Sequence, residues 1–118
     1  NSNSKSNSSN NNSNSKESTQ VDNSLAILAD MYRKQGRDFY ANEDYSNALD
    51  SFSKALIQAP RNWPNKLAVL GNRAATYMML NRYIEAIDDC NSAILIDKTV
   101  LKLYTRKARA YLRLGRIK

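Results

Sequence analysis

The chain has 118 residues, a length that allows one small domain, and 42% of them are hydrophobic. No apolar run approaches the roughly 18 residues that membrane insertion would require. A single cysteine, Cys90, and the absence of histidine exclude a disulfide framework and a zinc cluster, and they favour a reducing, cytoplasmic location. The net charge of +7 lies after residue 22, and residues 98–118 hold eight basic and no acidic residues, which indicates an acidic partner such as a peptide, a nucleic acid or a membrane surface.

The amino-terminal segment is almost purely asparagine and serine. Residues 1–16 contain seven Asn, seven Ser and two Lys. Such a composition has no apolar side chains whose burial could offset the loss of chain entropy on folding. We therefore predict a disordered linker or tail over residues 1–22, followed by an ordered domain over 23–118.

Two helices are predicted next. Asn23 or Ser24 can cap the first, which should end near Asn42, and the second should cover residues 46–58, with Pro60 ending it. Apolar and small residues recur three or four positions apart in both segments, and the polar residues 42–46 separate them. The pattern predicts two antiparallel helices in a hairpin. The members of the pattern are Tyr32, Gly36, Phe39, Ala48, Phe52 and Ala55.

The remaining chain repeats this arrangement once and then begins it again. A loop over residues 61–66 carries Trp63, which we expect to pack over the joint between the two hairpins. A second set of residues with the same spacing begins near Leu67. The first helix of a third unit begins near Leu101 and ends at Gly115. The second set comprises Leu70, Ala74, Tyr77, Ala86, Cys90 and Ala93. Because no base or metal ligand accompanies Cys90, we expect it to be a buried structural residue.

The spacing resembles that of the tetratricopeptide repeat (TPR), a 34-residue helix-turn-helix unit. Counted from Ala29, seven positions match the repeat pattern and only Gln35 departs, where Leu is usual. The resemblance implies an all-α fold with two full repeats and the first helix of a third. It also implies a right-handed superhelix whose first helices line a concave groove.

The resemblance also implies that the third repeat is cut short, because its second helix would follow Lys118. Tyr104, Leu112 and Leu114 should then have less cover than in an intact array. We therefore expect the parent protein to continue, and the fragment to be marginally stable or to self-associate through this helix.

No group of residues typical of an enzyme is present. There is no histidine, no glycine-rich phosphate loop and no Gly-x-Ser-x-Gly element, and the acidic residues are scattered over outer helical faces. The sequence therefore predicts a binding module that is not an enzyme and has no cofactor or metal site.

A set of polar residues on the first helices resembles the carboxylate clamp of co-chaperone TPR domains. That clamp holds the C-terminal Glu-Glu-Val-Asp of Hsp70 and Hsp90 with Lys, Asn, Asn, Lys and Arg. The corresponding residues here are Arg33, Arg37, Asn72, Lys102 and Arg106. Asn72, Lys102 and Arg106 match the family, Arg33 keeps the charge of Lys, and Arg37 departs from Asn.

The chemistry of these residues suits a C-terminal carboxylate without reference to the family, because cationic donors at fixed positions form charge-assisted hydrogen bonds with it. Two alternatives remain open. The repeats could hold another acidic peptide or protein, or the basic third helix could bind RNA through Lys102, Arg106, Arg109 and Arg113. RNA binding is disfavoured because Tyr104 and Tyr111 fit core positions and would not be free to stack on bases.

Overall fold

The computed structural model describes the backbone of residues 11–115 and the side chains of residues 20–115. This part of the chain is entirely helical outside its turns, which confirms the predicted all-α class. The helices are α1 (Asn11–Ala41), α2 (Tyr45–Gln58), α3 (Lys66–Met79), α4 (Tyr83–Ile96) and α5 (Leu101–Arg113).

The helices stack in chain order. Each contacts the next, and α3 also contacts both α1 and α5. The chain therefore forms two helical hairpins, α1–α2 and α3–α4, followed by α5. The first helices of the three units lie side by side in one row, as the predicted groove requires.

Helix α1 begins earlier than the sequence predicts. We expected a start at Asn23 or Ser24, but the helix begins at Asn11, so residues 11–22 are helical where we expected disorder. A helix that is already packed extends without a new nucleation step, and no Gly or Pro interrupts residues 11–24. The predicted disorder of residues 1–10 lies outside the described residues, and the division into a tail and a domain at residue 22 stays a prediction.

Each first helix ends at the same repeat position with a left-handed backbone. The φ angles are 62° at Glu43, 61° at Asn81 and 70° at Gly115. Glycine adopts this conformation freely and asparagine tolerates it, whereas a glutamate is strained there. After the first of these turns, Asp44 caps α2 by accepting a hydrogen bond from the backbone N–H of Asn47.

The core consists of two clusters that follow the repeat pattern. One is centred on Phe52, and the other lies between α3, α4 and α5. Gly36 is essential to the first, since a Cβ atom there would lie 2.6 Å from the ring of Phe52. The buried residues of the two clusters are Ala29, Ala48, Phe52, Ala55, Trp63 and Val69, then Leu70, Ala74, Cys90, Ala93 and Leu103.

A partly buried ion pair joins the two helices of the second hairpin, and its arginine also contacts the first hairpin. Arg73 on α3 donates two hydrogen bonds to the carboxylate of Asp89 on α4, at 2.7 and 2.8 Å. The same guanidinium donates to the hydroxyl of Ser53 on α2 at 3.2 Å. The hydrogen bond to Asp89 is the main reason that the pKa of Arg73 is raised, so the guanidinium is charged at neutral pH.

Helix α5 buries its side toward α3 and α4. Leu103 and Ala110 are buried, whereas Tyr104, which has the spacing of a core residue, is 42% exposed. In the second hairpin, the equivalent face of α3 packs against α4. Within residues 11–115, no helix packs against this face of α5. The predicted low cover is confirmed for Tyr104 and for Leu112, which is 61% exposed.

Candidate peptide-binding groove

The five predicted clamp residues lie along the row of first helices. Arg33 and Arg37 are on α1, Asn72 is on α3, and Lys102 and Arg106 are on α5. Three neighbouring cavities connect them: one of about 660 Å³ along α1, one of about 350 Å³ in the middle, and one of about 360 Å³ along α5. We call these the α1, central and α5 cavities.

The central cavity brings residues of all three first helices together. Arg37, Asn72 and Arg106 line it, with Tyr40 and Phe52 forming its apolar wall. Arg37 also lines the α1 cavity beside Arg33, while Asn72 and Arg106 also line the α5 cavity beside Lys102. The five residues therefore border one continuous groove.

Arg106 is held in place by a hydrogen bond to the backbone of α3. One of its terminal nitrogens donates to the backbone carbonyl of Gly71 at 3.2 Å, which leaves most of its five N–H donors for a ligand. Among the described residues, Arg37, Lys102 and Arg106 form no ion pair, and the side-chain amide of Asn72 forms no hydrogen bond. The middle of the groove thus offers uncompensated positive charge and a free amide.

Arg33 is organised by an acidic residue that the sequence analysis did not identify. Its buried Nε atom lies 3.6 Å from a carboxylate oxygen of Asp30, close enough for an ion pair but too far for a hydrogen bond. The Nε atom has no hydrogen-bond partner in the described part of the chain. The same oxygen accepts hydrogen bonds from Trp63 at 3.2 Å and Asn65 at 2.8 Å. Asp30 therefore ties the loop between the hairpins to α1 beside Arg33.

Trp63 belongs to the same hydrogen-bond network and is buried. The residue is 4% exposed and belongs to the first core cluster, so its predicted packing over the joint between the hairpins is confirmed. The sequence carried a signal only for the ion pair of Asp30 with Arg33, because the two residues are one turn apart on α1.

Cys90 is a buried structural residue, as predicted. It is fully buried in the second core cluster, and burial is the main cause that raises the pKa of its thiol. The thiol is therefore protonated and unreactive at neutral pH. Residues 20–115 contain no group of side chains that could hold a metal ion. In the same range, no helix has the length and apolar character that crossing a membrane requires.

Solved structures resemble both the fold and the sequence. The TPR2B domain of yeast Sti1, solved as a complex with pHsp70, is 31% identical with a TM-score of 0.66, and the alignment covers 75% of this chain and 67% of that one. The chain belongs to the tetratricopeptide-repeat family. The second TPR domain of human RPAP3, solved with the HSP70 peptide SGPTIEEVD, is 26% identical with a TM-score of 0.66, and the alignment covers 80% of this chain and 72% of that one.

A longer relative is similar over most of this chain. DnaJ homolog subfamily C member 7 of Homo sapiens is 34% identical over 87 residues, which are 74% of this chain but only 17% of that protein. This TPR chain thus spans less than a fifth of the length of that relative. No protein-family model matches the sequence.

Proposed function

We propose that this chain is a cytoplasmic, non-enzymatic interaction module that binds the acidic C-terminal Glu-Glu-Val-Asp tail of Hsp70 or Hsp90. In doing so it would tether the chaperone to the rest of its own protein. The observation that carries the proposal is the groove in which Asn72 and Arg106 lie between Arg33 and Arg37 on one side and Lys102 on the other.

The charges of the groove suit the end of such a tail. A C-terminal aspartate carries two carboxylates, each of which accepts several hydrogen bonds. Arg37, Lys102 and Arg106 can donate charge-assisted bonds to them, and Asn72 can donate its amide to the carboxylate or accept from the peptide backbone. Because these three cations have no acidic partner among the described residues, they can bind the tail without breaking an ion pair of their own.

The comparisons support the choice of ligand. Two of the solved TPR domains that resemble this chain are complexes, one with pHsp70 and one with an HSP70 peptide that ends in Glu-Glu-Val-Asp. Arg37 is the residue at which this chain departs from the clamp pattern. It lies in the central cavity, where it adds a charge at the cost of space.

Substitution of Arg106 tests the proposal. A charge-assisted hydrogen bond contributes roughly 1.5–3 kcal/mol, so Arg106→Ala should weaken binding of a Glu-Glu-Val-Asp peptide about tenfold or more. Lys102→Ala and Asn72→Ala should also weaken it. The measurement is a calorimetric titration, with thermal melting to show that each variant is folded.

Arg61→Ala is the matched control. Arg61 is an exposed residue of the loop between the hairpins, lines none of the groove cavities, and forms no ion pair within residues 20–115. Its removal costs the same unit of charge but should barely change the affinity, because an exposed distant charge acts only through a screened field. Equal losses from Arg61→Ala and Arg106→Ala would indicate diffuse attraction and would reject the clamp.

A further inference from the structure

A fourth cavity adjoins the proposed clamp. It has a volume of about 370 Å³, and three arginines of α5, namely Arg106, Arg109 and Arg113, line one side of it. We call it the arginine pocket. It shares Tyr40 and Arg106 with the central cavity, so a ligand that leaves the clamp on this side enters it directly.

The arginine pocket carries unbalanced positive charge. Arg106, Arg109 and Arg113 are three and four residues apart and so lie on one face of α5. No carboxylate lines the pocket, and none of the three arginines forms an ion pair within the described part of the chain. Three neighbouring cations repel one another, and an anion bound between them would relieve this repulsion.

The opposite wall is apolar. Met78 and Met79 of α3 line it, and Met79 is 50% exposed. Flexible thioether side chains adapt to an aliphatic group. A pocket with methionines on one side and guanidinium groups on the other suits glutamate, which has an aliphatic stem and an anionic end.

The charge distribution also favours this exit from the clamp over the one along α1. The α1 cavity is lined by Asp30 and Asp38 as well as by three cations, so it has less net positive charge to offer an acidic peptide. No carboxylate lines the arginine pocket. An acidic tail whose end is held at Arg106 should therefore run toward Arg113.

The helix geometry gives the position of the residue that reaches the pocket. Seven residues separate Arg106 from Arg113, which is about 10 Å along a helix. An extended peptide advances about 3.3 Å per residue, so about three residues cover the same distance. Resting on the proposed function, we propose that the arginine pocket binds the acidic side chain of the third residue before the C-terminus. In a tail that ends in Glu-Glu-Val-Asp, this is the first glutamate.

A double-mutant cycle between protein and peptide tests the assignment. The full chain and its Arg113→Gln variant are titrated with a free-acid peptide ending in Glu-Glu-Val-Asp and with the same peptide carrying Gln in place of the first Glu. We expect Arg113→Gln to weaken binding of the Glu peptide roughly two- to fivefold, the range of an exposed charge pair. It should leave the affinity for the Gln peptide almost unchanged.

Two controls separate the possible failures. A peptide with Gln in place of the second Glu should remain sensitive to Arg113→Gln, and Arg61→Gln should weaken neither peptide. If Arg113→Gln weakens the Glu and Gln peptides equally, or neither, the pocket assignment is wrong. If Arg113→Gln gives either of these results while Arg106→Ala still weakens binding, the proposed clamp is supported and only the assignment of the arginine pocket is rejected. If the wild-type chain does not bind the free-acid peptide, both proposals fall.

Discussion

Replacement of Gly36 by alanine tests how closely the first hairpin is packed. The new Cβ would lie 2.6 Å from two ring carbons of Phe52, whereas ordinary contact begins at 3.4 Å. Phe52 is 1% exposed, so its ring cannot move away without disturbing the core. Overpacking of this kind costs about 1–3 kcal/mol, and the better helix propensity of alanine offsets about 1 kcal/mol.

We therefore expect Gly36→Ala to lower the free energy of unfolding by up to about 2 kcal/mol, which corresponds to a fall in Tm of roughly 4–8 °C per kcal/mol for a domain of this size. Urea denaturation followed by circular dichroism measures the change. Gly71→Ala is the matched control, because its Cβ would meet only Arg106 and Leu103, each at 3.9 Å. That variant should keep or raise the stability.

The Gly36→Ala substitution in a Phe52→Leu variant tests whether the contact with Phe52 causes the loss of stability. In a Phe52→Leu variant the large ring is gone, so adding Gly36→Ala should become neutral or stabilising. The two substitutions should thus show a coupling energy of about 0.5–3 kcal/mol, as contacting residues do. An equal loss of stability from Gly36→Ala in both backgrounds would show that the contact with Phe52 is not the cause.

Three further outcomes are expected. Glu43→Gly should raise the free energy of unfolding by about 0.5–1 kcal/mol, because glycine relieves the strain of φ 62°; a lower Tm would contradict this. Asp89→Asn should lower it by about 3 kcal/mol, since it leaves Arg73 without its carboxylate, whereas Asp50→Asn in an exposed ion pair should cost under about 1 kcal/mol. The exposed face of α5 should cause weak self-association; sedimentation should show Leu112→Glu reducing it, and a mass independent of concentration in the wild type would refute this.

The sequence alone was sufficient to predict the two hairpins. Positions such as Gly36 and Phe52 must be small or large because the helices touch there, and a repeated unit places these contacts at constant spacing. The same regularity predicts the turns, since Glu43, Asn81 and Gly115 occupy one repeat position and share one backbone conformation. The candidate clamp residues could be assigned to the groove side of the first helices in advance, because their offsets determine which side of each helix they occupy; their role in binding stays a prediction.

The features that the sequence did not predict depend on contacts with distant or missing neighbours. The early start of α1 arises because a packed helix extends into a polar segment that would not form a helix alone. The exposure of Tyr104, by contrast, was predicted, because within residues 11–115 no helix packs on that face of α5. The arginine pocket combines Tyr40, Met79 and Arg113, which only the stacking of α1, α3 and α5 brings together.

The most direct test of the central claim compares two peptides that differ at one chemical group. A peptide ending in Glu-Glu-Val-Asp as the free acid, and its C-terminally amidated twin, are titrated into the wild-type chain at the same salt concentration. The clamp account predicts that the amide binds about tenfold more weakly or worse, because the terminal carboxylate accepts the charge-assisted hydrogen bonds of the groove. Equal affinities for the two peptides would contradict it and would favour a partner recognised by its internal acidic residues.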